Sequence, residues 1–228
     1  MQLSLLDQVA PAADAGFATA RRMDLGSGAW IEVVPEWCCG HLRLMDQLLA
    51  AADWERHARI MYEREVEVPR LVAGCPGGSG QLPLSGETVL EKHPHRAGQT
   101  EIDRVRGLLD RMSTLLSQRY RRRLDRIRLA FYRDGRDSVA FHGDKLGTLR
   151  SDTVVAVLSL GARRRFLLRP VDRRRARGRA FRPGEGDLLV MGGNCQETWE
   201  HAVPKQKHAG PRLAIMFREP VTPSAAQP

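Results

Sequence analysis

Beyond residue 123 the chain is written in short runs rich in β-branched and apolar residues. That rhythm limits the fold more than any other feature. The runs span 127–133, 139–141, 153–160, 165–168, 187–191 and 212–217, and Asp134-Gly135, Pro183-Gly184 and Gly192-Gly193 punctuate them. Short strands with turn signals between them predict antiparallel pairing and closure into a barrel or a sandwich. The segment ahead obeys a different period. Ile102, Val105, Leu108, Leu109, Met112, Leu115 and Leu116 recur at helical intervals and predict an amphipathic helix. Trp37, Leu44, Met45, Leu48 and Leu49 predict another within 36–56. Residues 73–100, rich in Gly and Pro, read as irregular loops with at most short strands. Residues 1–29 hold no sustained period and read as a tail. Residues 172–179 read as a solvated excursion between two strands.

The longest plain apolar run, Val154-Val155-Ala156-Val157-Leu158, falls far short of the roughly 18–20 residues that cross a bilayer. The first residues lack a basic start and a long apolar stretch, so no secretory leader is expected. A cytoplasmic protein without a membrane partner follows. Cys38, Cys39, Cys75 and Cys195 match no zinc spacing and are expected to be free thiols.

The formal net charge of +9 comes from 36 Lys and Arg against 27 Asp and Glu. Lysine stands only at Lys92, Lys145, Lys205 and Lys207, so arginine carries the excess, concentrated at 119–128 and 163–182. Clustered arginine is the footprint of a polyanion partner, most simply nucleic acid. The plainer reading is an arginine-biased, solvated surface.

His142-Gly143-Asp144 places an imidazole and a carboxylate two residues apart, and on an extended segment such residues share a face. With His201 from a distant strand they make two histidines and one carboxylate, a facial triad that leaves positions on Fe(II) open. A His-x-Asp is common by chance, and the chain has seven histidines. Arg212 and Arg218 are six apart, an even number that turns both to one face of a strand. Together with Tyr132 they suit a dicarboxylate, which arginine can grip with two parallel hydrogen bonds.

Phe131-Tyr132-Arg133-Asp134-Gly135, Asp137-Ser138-Val139 with His142-Gly143-Asp144, and Ser159-Leu160-Gly161 resemble the AlkB family of Fe(II)/2-oxoglutarate dioxygenases. So do Gly186 to Met191, Trp199-Glu200-His201-Ala202-Val203-Pro204-Lys205, and Pro211-Arg212 through Phe217-Arg218. Upstream, Arg64-Glu65 and Val68-Pro69-Arg70-Leu71 are similar to the segment before that family's substrate lid. The ordered motifs cover roughly residues 60–219.

The resemblance implies an α+β fold, with N-terminal helices packed on a double-stranded β-helix, or jelly-roll, core. The domain would run over 30–219, with a lid at about 60–100 and a barrel at about 125–219, between tails at 1–29 and 220–228. Fe(II) would be held by His142, Asp144 and His201. Arg212 would take the distal carboxylate of 2-oxoglutarate with Tyr132, and Arg218 would lie near its keto-acid end. The implied reaction consumes O2 and 2-oxoglutarate and removes an N-methyl group from a damaged base as formaldehyde, leaving succinate and carbon dioxide. The implied partner is DNA, single-stranded by preference, or RNA, and the protein is expected to be a monomer. An alternative keeps the iron enzyme and exchanges nucleic acid for another substrate. A nucleic-acid binding protein with a vestigial site is a third reading, opposed by the intact motif residues.

The chain departs from the family where Ala130 and Ala214 replace asparagines and where Leu146 replaces an acidic residue. Gly74-Cys75, and Leu82-Pro83-Leu84 ahead of Ser85-Gly86, stand where lid aromatics are common. Gln2-Leu3-Ser4-Leu5-Leu6 resembles a sliding-clamp docking peptide, or is an ordinary terminus. Trp199, two before His201, either walls the iron pocket or is plain core.

Overall fold

The computed structural model describes residues 9–61, 64–78, 87–144, 151–172 and 177–220. In chain order the elements are β1 (Ala12–Ala13), β2 (Arg21–Gly26), β3 (Ala29–Val34), β4 (Cys38–Cys39), α1 (His41–Ala51), β5 (Trp54–Met61), β6 (Arg64–Glu67), β7 (Leu71–Gly74), β8 (Glu87–His93) and α2 (Gln99–Tyr120). There follow β9 (Arg126–Tyr132), β10 (Val139–His142), β11 (Thr153–Gly161), β12 (Phe166–Pro170), β13 (Arg179–Phe181), β14 (Asp187–Gly193), α3 (Cys195–Thr198), β15 (Trp199–Val203) and β16 (Arg212–Arg218).

One large sheet runs in the order β2-β3-β14-β11-β16-β9-β7-β5-β6, with β8 also paired to β5. A second sheet has the order β10-β15-β12-β13, and β1 pairs with β4. Strand β11 explains how the layers stack, because all nine of its residues are buried. Ala156, Leu158 and Leu160 join one apolar cluster with Leu44 and Leu48 of α1 and Val105, Leu109 and Leu116 of α2. Val155 and Val157 join the other with Phe166, Leu168 and Trp199 of the small sheet. Alternation along one strand thus feeds two cores, one under the helices and one between the sheets.

Strand β11 ends at Gly161, whose φ of 76° is open to glycine; a Cβ there would lie 2.6 Å from the Pro211 carbonyl oxygen. The turn keeps Arg212 of β16 directly opposite Gly161, which starts β16 in the register that the site requires.

The six strands expected beyond residue 123 are found to within a residue or two, while β13 and β15 are not among the expected runs. The upstream half differs. The tail expected at 1–29 contains β1 and β2, and β2 pairs with β3 at the edge of the large sheet, so the folded unit begins before residue 30. Four strands precede α1, and β5 to β8 separate the two helices, so the order is not simply helices first. Within 73–100, β8 is a seven-residue strand. The helix expected within 36–56 is α1, because Glu36 takes a φ of 53° and Cys38 pairs in β4 before the helix starts. The four cysteines are free thiols. No helix among the described residues is long and apolar enough to cross a membrane. The docking peptide at 2–6, Leu146, the lid residues Leu82 to Gly86, Arg173 to Arg175 and the tail beyond 220 lie outside the described residues.

Candidate active site

The sequence rule that residues two apart share a strand face is only part of how the triad forms. Val139 pairs with Val203 and His142 pairs with His201, so β10 spends three steps where β15 spends two. The extra residue is a β-bulge, a device that re-aims a side chain. Without it His142 would face away from Val139 and out of the sandwich; with it, His142 turns toward His201. The two imidazole centroids lie 4.3 Å apart. Asp144 follows the strand end, and one ligand atom from each of His142, Asp144 and His201 falls within 4.8 Å of the others.

Neighbouring groups fix the orientation of all three. The His142 Nδ1 lies 2.8 Å from the Ala140 carbonyl oxygen; Nδ1–H donates there, and the Nε2 lone pair remains for a ligand. His201 stacks on the Phe166 ring at 5.3 Å and 14°. The Asp144 amide donates to Gln196 Oε1 at 2.8 Å, and Arg218 reaches Asp144 Oδ1 at 2.5 Å. Asp144 Oδ2 is buried with no hydrogen-bond partner.

Burial pushes the His201 pKa down to about 3, with His142 adding to the effect. Burial lowers His142 likewise. Burial is also the largest influence on Asp144 and pushes its carboxyl up; Arg218, His201, His142 and Arg70 outweigh it and hold the carboxyl below its ordinary value. The centre therefore offers two neutral imidazoles and one carboxylate at neutral pH, the donor set that a divalent cation requires. An uncompensated buried carboxylate oxygen among them is costly, and a cation at that point satisfies it. The residues present fit Fe(II).

Farther along the same face, Arg212 pairs across the sheet with Tyr132. It is 1% exposed, donates to Ser159 Oγ at 2.7 Å, and keeps its Nε buried without a partner. Its guanidinium lies 5.4 Å from the Tyr132 ring centroid, so both residues meet as the sequence suggested. Arg212 and Arg218 share the face that the even spacing requires. Ala130 and Ala214, the two departures from asparagine, are direct cross-strand partners. Their methyl groups supply no hydrogen bond to a ligand at Arg212. Trp199 is 4% exposed and belongs to the inter-sheet core.

Three residues escaped attention in the sequence. Arg164 is fully buried and donates to the carbonyls of Asp134, Asp137 and Pro204 and to Gln206 Oε1. It lies 5.7 Å from the Tyr132 ring, so one guanidinium ties the turn after β9 to the turn after β15. It was hidden in an Arg-Arg-Arg run that reads as surface. Gln196, which holds Asp144, sits 52 residues away with no motif to mark it. Arg70 was quoted only for its place before the lid.

The arginine clusters are less free than composition suggests. Arg119 pairs with Glu32, Arg122 with Asp152 and Arg123 with Asp125. Arg163 pairs with Glu185 and Asp187, and Arg169 with Glu200. Arg164 turns inward, as described.

Comparison with known proteins agrees with this geometry. The family model described as the 2OG-Fe(II) oxygenase superfamily matches residues 40–218. Alpha-ketoglutarate-dependent dioxygenase alkB homolog 3 of Mus musculus is 29% identical over 184 residues, 77% of this chain and 60% of that protein. Its Homo sapiens counterpart is 27% identical over the same shares. DNA oxidative demethylase ALKBH2 of Mus musculus is 32% identical over 95 residues, 39% of this chain and 40% of that protein. The match thus spans less than two thirds of each relative's length.

Proposed function

The chain belongs to the 2OG-Fe(II) oxygenase superfamily, alongside its AlkB homologues, and from that membership we propose that it oxidatively demethylates alkylated bases in DNA or RNA. The observation that carries the reading is the pairing of two built sites on one face. One is the His142, Asp144 and His201 cluster with its unsatisfied Oδ2; the other is the buried Arg212 with its unsatisfied Nε beside Tyr132. The packed pair of sheets supports a double-stranded β-helix as their frame.

His142, Asp144 and His201 would hold Fe(II). When bound, the metal supplies, with 2-oxoglutarate, the activation of dioxygen that oxidises a methyl C–H bond. The chain's own residues bind and orient. Arg212 takes the distal carboxylate of 2-oxoglutarate, with the Ser159 hydroxyl and Tyr132 setting its direction. Arg218 keeps Asp144 ionised and aimed. The bond from His142 to Ala140 holds one tautomer, and Phe166 walls His201 from water. A target base must leave its stack to reach such an enclosed centre, which favours single strands by a few kcal/mol of avoided unpairing. The names of the relatives, a dioxygenase and a DNA oxidative demethylase, and the positive charge support nucleic acid as the substrate. The protein is proposed to act as a cytoplasmic monomer.

The test measures formaldehyde from methylated single-stranded DNA, methylated RNA and no nucleic acid, each with Fe(II) and 2-oxoglutarate. Release from one of the nucleic acids supports the reading. Succinate formation that no methylated nucleic acid stimulates would move the enzyme to another substrate class.

A further inference from the structure

Arg126, half-buried, and Arg128, buried, stand at the end of the first arginine cluster. Both lie on β9, where Arg126 is the direct cross-strand partner of Arg218 and Arg128 is 7% exposed. Two like charges opposite each other on one sheet face repel. Arg218 has Asp144 to offset its charge. Arg126 makes no ion pair or hydrogen bond among the described residues and feels only the more distant charge of Asp144; its NH1 is buried without an acceptor, and so is the Nε of Arg218. Two buried donors on adjacent strands, both cationic and both without acceptors, are costly unless an anion meets them.

We infer that Arg126, with the free edge of Arg218, forms an oxyanion site beside the metal cluster, and that its occupant is a backbone phosphate of the nucleic acid. This rests on the demethylase reading for the identity of the phosphate, and on the geometry alone for the oxyanion. The pocket of the distal carboxylate is elsewhere. Arg212 stands six residues from Arg218 along β16, or roughly 20 Å at the usual strand rise. A dicarboxylate anchored at Arg212 would bring its keto-acid end to the metal and to Arg218; Arg126, on the neighbouring strand β9, still has a buried donor left over. A phosphate close to the target base would meet it, and guanidinium groups suit phosphate geometry. Burial and then the neighbouring Arg218 lower the Arg126 pKa, against the opposing pull of Asp144.

The experiment uses anaerobic protein loaded with Fe(II) and saturating 2-oxoglutarate, so that the Arg212 pocket is filled and no turnover occurs. Thermal melts are recorded with inorganic phosphate, a nucleoside 5′-monophosphate and the nucleoside. The wild type is expected to gain several degrees from the two phosphates and nothing from the nucleoside. Arg126→Gln should lose that gain yet melt higher than wild type without ligand, because the repulsion is gone. Arg111→Gln, the same charge change on an exposed face of α2, should keep the gain. In turnover, Arg126→Gln should raise KM for a methylated oligonucleotide about tenfold, the scale of one charged hydrogen bond. An Arg126→Gln protein that still gains from phosphate overturns the site. One that instead loses stabilisation by 2-oxoglutarate assigns the anion to the co-substrate and overturns the phosphate. A phosphate gain that needs Arg126, in a protein that releases no formaldehyde from any nucleic acid, keeps the oxyanion site and overturns only the demethylase reading.

Discussion

Asp144 carries two duties. Its charge offsets Arg218, and its free Oδ2 completes the donor set. Asp144→Asn keeps the shape, so the fold should survive, while formaldehyde release should fall to background. Asp144→Ala should lose activity equally and melt lower still, because it removes the oxygen that Arg218 bonds as well as the charge. A variant of either kind with near-normal formaldehyde release would sink the assignment. Arg212→Lys keeps the charge and loses the planar fork. Hydrogen bonds to charged groups contribute about 1.5–3 kcal/mol, so KM for 2-oxoglutarate should rise about 10–100-fold. The small partners Ala130 and Ala214 supply no second donor to soften the loss. An unchanged constant would place the dicarboxylate elsewhere.

At the level of elements, the site depends on two features that no residue pattern announces. One is the bulge in β10, which is a count of residues between two pairings, and pairings are not written in one strand. The sequence supplied the right histidine with half of the reason. The other is Arg164. Short apolar runs between turn signals marked six strands of the barrel half, among them β11 and β16, which are buried at all or nearly all positions. They could not mark β5, β6 and β8, whose charged residues interrupt any apolar run. Arg164 fixes the loops at the ends of β9 and β15 by four acceptors. Arg164→Met would fill the space and leave three backbone carbonyls without their donor. Each buried acceptor left without its donor costs about 1–3 kcal/mol. Chemical denaturation should show a loss of that order. Any Arg164→Met enzyme that remains folded should show a raised KM for 2-oxoglutarate, because Tyr132 has lost the group beside it. Stability within about 0.5 kcal/mol of wild type, the range of ordinary surface changes, would contradict the role.

For the whole molecule, the net charge of +9 suggested a polyanion partner, and the structure shows where the arginines behind that charge are placed. Much of the arginine excess is spent on carboxylates within the fold. Only some side chains remain for phosphates, so nucleic-acid binding should depend on salt with a modest slope. Each phosphate contacted on a single strand adds about −0.7 to the slope of log affinity against log salt. Two to five contacts would give a slope between about −1.4 and −3.5, measured by titration of a labelled oligonucleotide at several salt concentrations. A slope near zero would make the arginines structural throughout and return the substrate question to its start. The central claim, that one face of this fold holds Fe(II) and 2-oxoglutarate to demethylate a base, is tested most directly by product stoichiometry. Succinate and formaldehyde are counted together from methylated single-stranded DNA, with Fe(II), for wild type and Asp144→Asn. Equal amounts of both are expected from the wild type and neither from the variant. Formaldehyde from the variant, or succinate from the wild type with no formaldehyde on any methylated nucleic acid, would contradict it.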